Sequence, residues 1–227
     1  VSFLVSGTAM AQLSGKYTID SKNASEGTNF ATFNDLSDSI SALGVSGPVV
    51  VDVIVGSGPY NEQVTFKTNG LADSIKPSAT NTIKINGNGE KISNSGSFSN
   101  RSVIYLNGAS HFMFDNLEVN AGGTGNGTRC FTIGNNSDSN TISNSNLIVS
   151  SYSDRSNSTA YIAFSASLTS RRSGNHGSNN LITNNTLNNG SSISNNGPFY
   201  GIDDYRDSRV RGVGNSIISN MIEDYRS

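Results

Sequence analysis

A short theme that occurs four times in the second half of the chain constrains its fold more than any other feature. An apolar residue is followed by one spacer, an asparagine and further apolar residues, at positions 114–119, 142–147, 182–187 and 218–222. A second apolar run precedes each copy, at 103–106, 130–133, 161–164 and 200–202. Strand-like segments that repeat in this way are typical of a solenoid, in which each repeat stacks on its neighbour. The sequence therefore predicts one strand pair in each coil.

The lengths of the connections between these segments indicate two inserted loops. A segment joins each apolar run to the asparagine theme that follows it. This segment is short after Leu106 and Ile133, but much longer after Phe164 and Ile202. Equivalent corners of successive coils lie above one another in a solenoid. The two inserts, at 167–179 and 205–214, are therefore expected to be neighbours in space.

The asparagine at the third position of each theme is predicted to have a structural role. Successive coils are about 4.8 Å apart, so identical amides at equivalent corners can hydrogen-bond along the stack as a ladder. The four residues are Asn116, Asn144, Asn184 and Asn220. We expect them to form this ladder and not to contact a glycan.

The first third of the chain carries a predicted helix and a strong strand. Apolar residues lie on one face of 33–43, Thr32 and Asp35 form a capping-box pattern before it, and Gly44 ends it. This helix is expected to cover an open end of the solenoid. The segment 49–55 is almost continuously β-branched, which predicts a strand buried on both faces.

The stretch 30–66 joins the capped helix, the β-branched strand and a turn reading Gly58-Pro59-Tyr60-Asn61-Glu62. It resembles the N-terminal cap and first coil of right-handed parallel β-helix proteins of the pectin-lyase-like superfamily. The resemblance implies an all-β fold, a right-handed parallel β-helix solenoid with a short N-terminal capping helix. The cap would span about 12–48 and the coils about 49–227. The paired Asp and Arg residues of pectin methylesterases cannot be placed on the strands at 82–147, so the resemblance supports the fold and not that activity.

The opening 13–19 and the asparagine-rich coils also resemble large repeat-containing surface proteins exported by environmental Gram-negative bacteria. Residues 1–11 read as part of a signal peptide, because an apolar stretch ends at Ala9-Met10-Ala11. The alternative is an apolar first strand. The protein is therefore expected to be secreted or held at the cell surface. Because no capping segment follows Ile222, further domains of the same longer chain are expected after it.

Composition excludes several classes of function. The 227-residue chain has a net charge of −2 and only 14% charged residues, which offers no electrostatic basis for binding nucleic acid. No apolar run is long enough for a membrane span. Cys130 reads as a buried small hydrophobe, and the two histidines, His111 and His176, are too far apart in sequence to suggest zinc.

Charged residues gather in the two inserts and at the two positions directly before the second insert, and together they form the candidate glycan-binding site. Its eight members are Arg171, Arg172, His176, Asp203, Asp204, Arg206, Asp207 and Arg209. The arginines would hold the carboxylate of an acidic sugar, and the adjacent aspartates would bind calcium or share a proton. The alternative is a solvated loop whose charges neutralise one another. No catalytic residue, resident metal or other cofactor is assigned.

Three functions remain open from the sequence. The first is a β-helical module that binds polysaccharide or mediates adhesion, with an extracellular polysaccharide as its partner. The second is a polysaccharide lyase or glycoside hydrolase acting on an acidic glycan, which would need a carboxylate cluster. The third is a structural stalk. Turnover, binding without turnover, and inertness distinguish the three.

Overall fold

The structure is a computed structural model that describes residues 11–95, 101–122, 128–150, 159–170, 173–190, 198, 200–204 and 212–223. Nearly all of the predicted signal peptide lies outside these residues. The helix, a 3-10 turn and the strands are α1 (Phe33–Leu43), Asp73–Ile75, β1 (Leu13–Ile19), β2 (Asn29–Phe30), β3 (Val45–Val53), β4 (Tyr60–Asn61), β5 (Val64–Phe66), β6 (Ile83–Asn86), β7 (Lys91–Asn94), β8 (Ser102–Asn107), β9 (Phe112–Asp115), β10 (Glu118–Ala121), β11 (Arg129–Gly134), β12 (Thr141–Ser143), β13 (Asn146–Val149), β14 (Ala160–Phe164), β15 (Leu181–Thr183), β16 (Thr186–Asn188), β17 (Tyr200–Asp203), β18 (Ser216–Ile218) and β19 (Met221–Ile222).

The strands form three parallel sheets that the chain visits in turn. Sheet A has the order β18-β15-β12-β9-β6-β3-β1-β2, sheet B the order β19-β16-β13-β10-β7-β4, and sheet C the order β17-β14-β11-β8-β5. Each full coil contributes one strand to each sheet, from β3-β4-β5 through β15-β16-β17, and β18-β19 begin a sixth. The predicted all-β parallel β-helix is therefore confirmed.

Each coil contains three strands, so the predicted strand pair was incomplete. The asparagine theme covers two strands, because its third residue takes a left-handed conformation that turns the chain from sheet A to sheet B. The φ angles are 53° at Asn116, 51° at Asn144 and 56° at Asn184. Asparagine tolerates this region better than most residues, which explains its recurrence at this corner.

The core consists of inward side chains stacked in register from coil to coil. One column in sheet A pairs Ile85 with Phe114, Phe114 with Ile142, Ile142 with Ile182, and Ile182 with Ile217. The fourth theme therefore aligns on Ile217, one residue earlier than its pattern suggests. The β-branched strand β3 is buried on alternate residues and not on both faces, because the outer face of sheet A faces solvent at half-buried Val50 and Asp52.

Two buried columns of polar side chains connect the later coils. In the first, Asn180 Oδ1 accepts from Asn140 Nδ2 at 3.0 Å, and Asn180 Nδ2 donates to Asn215 Oδ1 at 3.1 Å. In the second, Asn185 Oδ1 accepts from the backbone N–H of Ser145 at 3.0 Å. Asn220 Oδ1 accepts from Asn185 Nδ2 at 2.9 Å.

The predicted ladder was therefore misplaced at three of its four corners, Asn116, Asn144 and Asn184, and of the four predicted residues it is Asn220 that joins the column. Asn144 and Asn184 are exposed and make the turn, whereas their successors Ser145 and Asn185 are buried and form the column. The side chain that follows the left-handed residue points into the solenoid. It is apolar at Leu117, whereas Ser145 and Asn185 at the next two corners accept hydrogen bonds from the backbone of the preceding coil.

Helix α1 lies at the N-terminal end with the predicted bounds. Thr32 caps it by accepting from the Asp35 N–H at 3.0 Å, and Phe33, Leu36 and Ile40 are buried against the first coil. A second group completes the cap. Both oxygens of Glu62 accept helix N–H groups, from Phe33 and from Asn34, each at 3.0 Å. The Gly-x-Tyr-x-Glu turn thus has a structural role, since it brings a carboxylate to the positive end of the helix.

We expect Glu62→Ala to lower the free energy of unfolding by about 2–3 kcal/mol, because two backbone donors lose a charged acceptor. Urea unfolding followed by circular dichroism measures the change. The matched control is Glu26→Ala, at an exposed glutamate in the preceding loop. Equal stability of the two variants would contradict the capping role of Glu62.

Candidate functional site

The described ends of the two inserts, 173–179 and 212–214, lie against each other, as the equal phase of the inserts in the repeat predicts. The N–H of Asn179 donates to the carbonyl of Val213 at 2.8 Å, and the N–H of Val213 donates to Ser178 Oγ at 3.1 Å. Gly212 passes so close to Gly177 that an added Cβ would come within 2.0 Å of its carbonyl oxygen. A side chain at Gly212 would therefore separate the inserts.

The side chain of His176, in the first insert, contacts Asp204, the residue directly before the second insert. Its Nδ1 lies 2.6 Å from Asp204 Oδ1, and the ring is buried while the Asp204 side chain is 44% exposed. This pair is the part of the predicted glycan-binding set that the structure brings into contact. Because the Nδ1 atom of this buried ring is bonded to the carboxylate, the histidine has a structural role, which is to connect the two coils.

The neighbouring carboxylate of Asp203 does not share this environment. Asp203 is the last residue of β17, pairs in register with Ala163 of β14, and is 5% exposed. Consecutive residues of a strand point to opposite faces. The predicted use of Asp203 and Asp204 as one calcium or proton-sharing pair therefore lacks support from their placement. Within the described residues, no group of three His, Cys, Asp or Glu side chains could hold a metal ion.

The other members of the predicted site are Arg171, Arg172, Arg206, Asp207 and Arg209, and all five lie outside the described residues. Their role in glycan binding stays a prediction. Cys130 is fully buried as expected, and burial raises the pKa of its thiol, which removes it as a nucleophile. His111 occupies a coil corner with a φ of 62°.

The outer side of sheet C is covered where the first insert leaves β14. Tyr105 donates from its hydroxyl to the carbonyl of Ala166 at 2.8 Å, and Arg129 Nη1 donates to the carbonyl of Ser167 at 3.2 Å. Arg129 is completely buried, and burial raises the pKa of the Tyr105 phenol. The insert thus packs on the sheet like a part of the core, and a ligand has no direct access to these side chains.

The outer face of sheet B carries a long, open groove. Its volume is about 590 Å³, and it crosses four successive coils. The side chains on its floor that can hydrogen-bond a ligand include Asn61, Ser93, Asn120 and Ser150. A second groove of about 440 Å³, near Asn146 and Thr186, continues along the same face towards the sixth coil.

Hydrogen bonds between coils order the side chains of the first groove. Ser93 Oγ donates to Asn61 Oδ1 at 2.8 Å, and Ser150 Oγ donates to Asn120 Oδ1 at 3.1 Å. Both bonds use the amide oxygen, so the amide nitrogens of Asn61 and Asn120 remain as donors for a ligand. The groove thus presents fixed, uncharged donors at the spacing of the coils.

Sequence reasoning missed this groove because it searched for charged or rare residues. The available signal was the period-two pattern of β7 and β10, in which polar residues at 91, 93 and 95 and at 118 and 120 alternate with the buried Ile92 and Val119. Such alternation predicts a half-buried strand with one solvent face. It does not predict that the same face continues across four coils.

Comparison of the chain with protein-family models, with curated proteins and with solved structures finds no match. Among the described residues, no helix is long and apolar enough to cross a membrane.

Proposed function

We propose that this protein is a secreted or cell-surface β-helical module that binds an extracellular polysaccharide along the outer face of sheet B. The groove that crosses four coils carries the proposal. Its floor offers amide and hydroxyl groups, which form hydrogen bonds with sugar hydroxyls. A long, open groove suits a polymer better than a small molecule, because small ligands are bound in concave sites that bury most of their surface.

The register of the coils adds a second reason. Asn61, Ser93 and Asn120 are paired from strand to strand, so their side chains form one row along the solenoid axis. Rows of this kind repeat at about 4.8 Å, which is comparable to the length of one sugar unit in an extended chain. A polysaccharide lying along the axis would meet an equivalent polar group at each coil.

The proposed location rests on the resemblance to exported repeat proteins and to the pectin-lyase-like superfamily. Polysaccharide binding is also compatible with that resemblance, because extended β-helical surfaces suit extended polymers. A lyase or hydrolase would act at the edge where His176 meets Asp204, and a stalk would bind nothing. Release of reducing ends or unsaturated sugars from a bound polymer would favour the enzyme over the module.

We expect the double variant Asn61→Ala, Asn120→Ala to bind its polysaccharide about 5-fold to 150-fold more weakly, since each lost neutral hydrogen bond costs about 0.5–1.5 kcal/mol. Affinity electrophoresis against soluble polysaccharides identifies the ligand, and calorimetry measures its Kd.

The matched control is Asn86→Ala, which removes an outward amide bonded between coils to Asp52 at 2.7 Å on sheet A. This control should bind as the wild type does. If the double variant and the control bind equally well, sheet B is not the binding face.

A further inference from the structure

We propose that Glu118 determines the class of polysaccharide that the sheet B groove accepts, by neutralising Lys91 and so restricting the groove to uncharged polymers. This inference rests on the proposed function. It adds a residue that sets specificity and a ligand class, neutral polysaccharide, that differs from the acidic glycan predicted for the two inserts.

The two charges belong to neighbouring coils of one sheet. Lys91 on β7 and Glu118 on β10 are paired in register, and Lys91 Nζ lies 3.2 Å from Glu118 Oε1. Both side chains are partly exposed, at 40% and 31%. Lys91 lines the groove, and the other described residues of its lining are asparagine, serine, glycine and proline. Among the described residues that line the groove, Lys91 is therefore the one with a charge, and Glu118 beside the lining is its ion-pair partner.

A polyuronate carries a carboxylate on each sugar and needs cations in the site that holds it. Here the ammonium group of Lys91 already has a carboxylate partner, and Glu118 would repel a second one at close range. A neutral polysaccharide meets no such repulsion and uses the amide and hydroxyl donors of the floor. In the next coils the positions in register with Glu118 are Asn146 and then Thr186. Among the described residues that line the second groove, the charged one is the acidic Glu223, which would also repel a polyuronate.

The test is Glu118→Gln, which keeps the shape of the side chain and removes its charge. The probes are galactomannan, xyloglucan and amylose as neutral polymers, and polygalacturonate as the polyuronate. We expect the variant to bind polygalacturonate about threefold to tenfold more tightly than the wild type at low salt, with the gain lost at high salt. Binding of the neutral polymers should stay within about twofold.

Two controls accompany this variant. Asp73→Asn removes the carboxylate of the ion pair between Lys76 and Asp73, 2.8 Å apart in a loop away from the groove, and should give no gain. Adding Lys91→Gln to Glu118→Gln should abolish the gain. Any polyuronate bound by the two inserts, at the predicted glycan-binding site, contributes equally in the wild type and the variants and does not affect their comparison.

The results separate the two proposals. If the wild type binds neutral polymers but Glu118→Gln binds polygalacturonate no better, the groove binds glycans and Glu118 does not select them, which overturns the inference. If the wild type binds none of the neutral polymers, the neutral ligand class is wrong. The Asn61→Ala, Asn120→Ala variant then decides whether sheet B binds any polysaccharide found in the wider screen.

Discussion

Replacement of Asn185 by alanine is expected to lower the free energy of unfolding by about 2–4 kcal/mol, which is a large part of the stability of a typical domain. Asn185 is 1% exposed, and its side chain bonds to the two coils on either side of its own. Its Oδ1 accepts from the N–H of Ser145 at 3.0 Å, and its Nδ2 donates to the carbonyl of Ile142 at 2.9 Å. Alanine would leave both backbone groups buried without a partner and add a small cavity.

The control for this variant is the preceding residue, Asn184→Gly. Asn184 is exposed and has a φ of 56°, which glycine adopts without strain. We expect its unfolding free energy to stay within about 0.5 kcal/mol of the wild type. Chemical denaturation of both variants measures the difference. A larger loss for Asn184→Gly than for Asn185→Ala would show that the stabilising column runs through the corner residues.

The second large effect is expected at the sixth coil, where β18 and β19 are the outermost strands of sheets A and B among the described residues. Four apolar side chains there are about half exposed: Ile217 at 50%, Ile218 at 51%, Met221 at 52% and Ile222 at 49%. Exposed strand edges with apolar side chains pair readily with other chains. The protein of this sequence should therefore sediment above the mass of one chain, with association rising with concentration.

The double variant Ile217→Lys, Ile222→Lys should sediment as a monomer, because lysine at a strand edge opposes pairing. Val55→Lys is the matched control, since Val55 is 74% exposed but belongs to the first coil. It should associate as the wild type does. A wild-type protein that stays monomeric at high concentration would contradict the prediction.

Much of the fold could be predicted from local patterns. The bounds of α1 follow from the capping residue Thr32, an apolar face and Gly44, all within a few residues of the helix. The strand segments follow from short apolar runs, and the equal phase of the two inserts follows from counting residues between them. These features depend on neighbours in sequence, so the sequence determines them directly.

The candidate site was predictable only in part. His176 and Asp204 were both expected at one edge, and they meet there at 2.6 Å. The groove on sheet B was not expected, because Asn61, Ser93 and Asn120 are ordinary polar residues of separate strands. Only their pairing from coil to coil makes them one surface.

The sequence by itself determined that this chain is a β-solenoid with a capped N-terminal helix, because repeats and capping signals depend on residues that are close together in sequence. The tertiary structure decided which asparagines are buried, where Glu62 binds, and which face is open. Each of these depends on the register between coils, which joins residues 28 to 40 positions apart. A shift of one residue exchanges the inside and outside of a strand, so only the packed coils distinguish the turn at Asn184 from the buried column at Asn185.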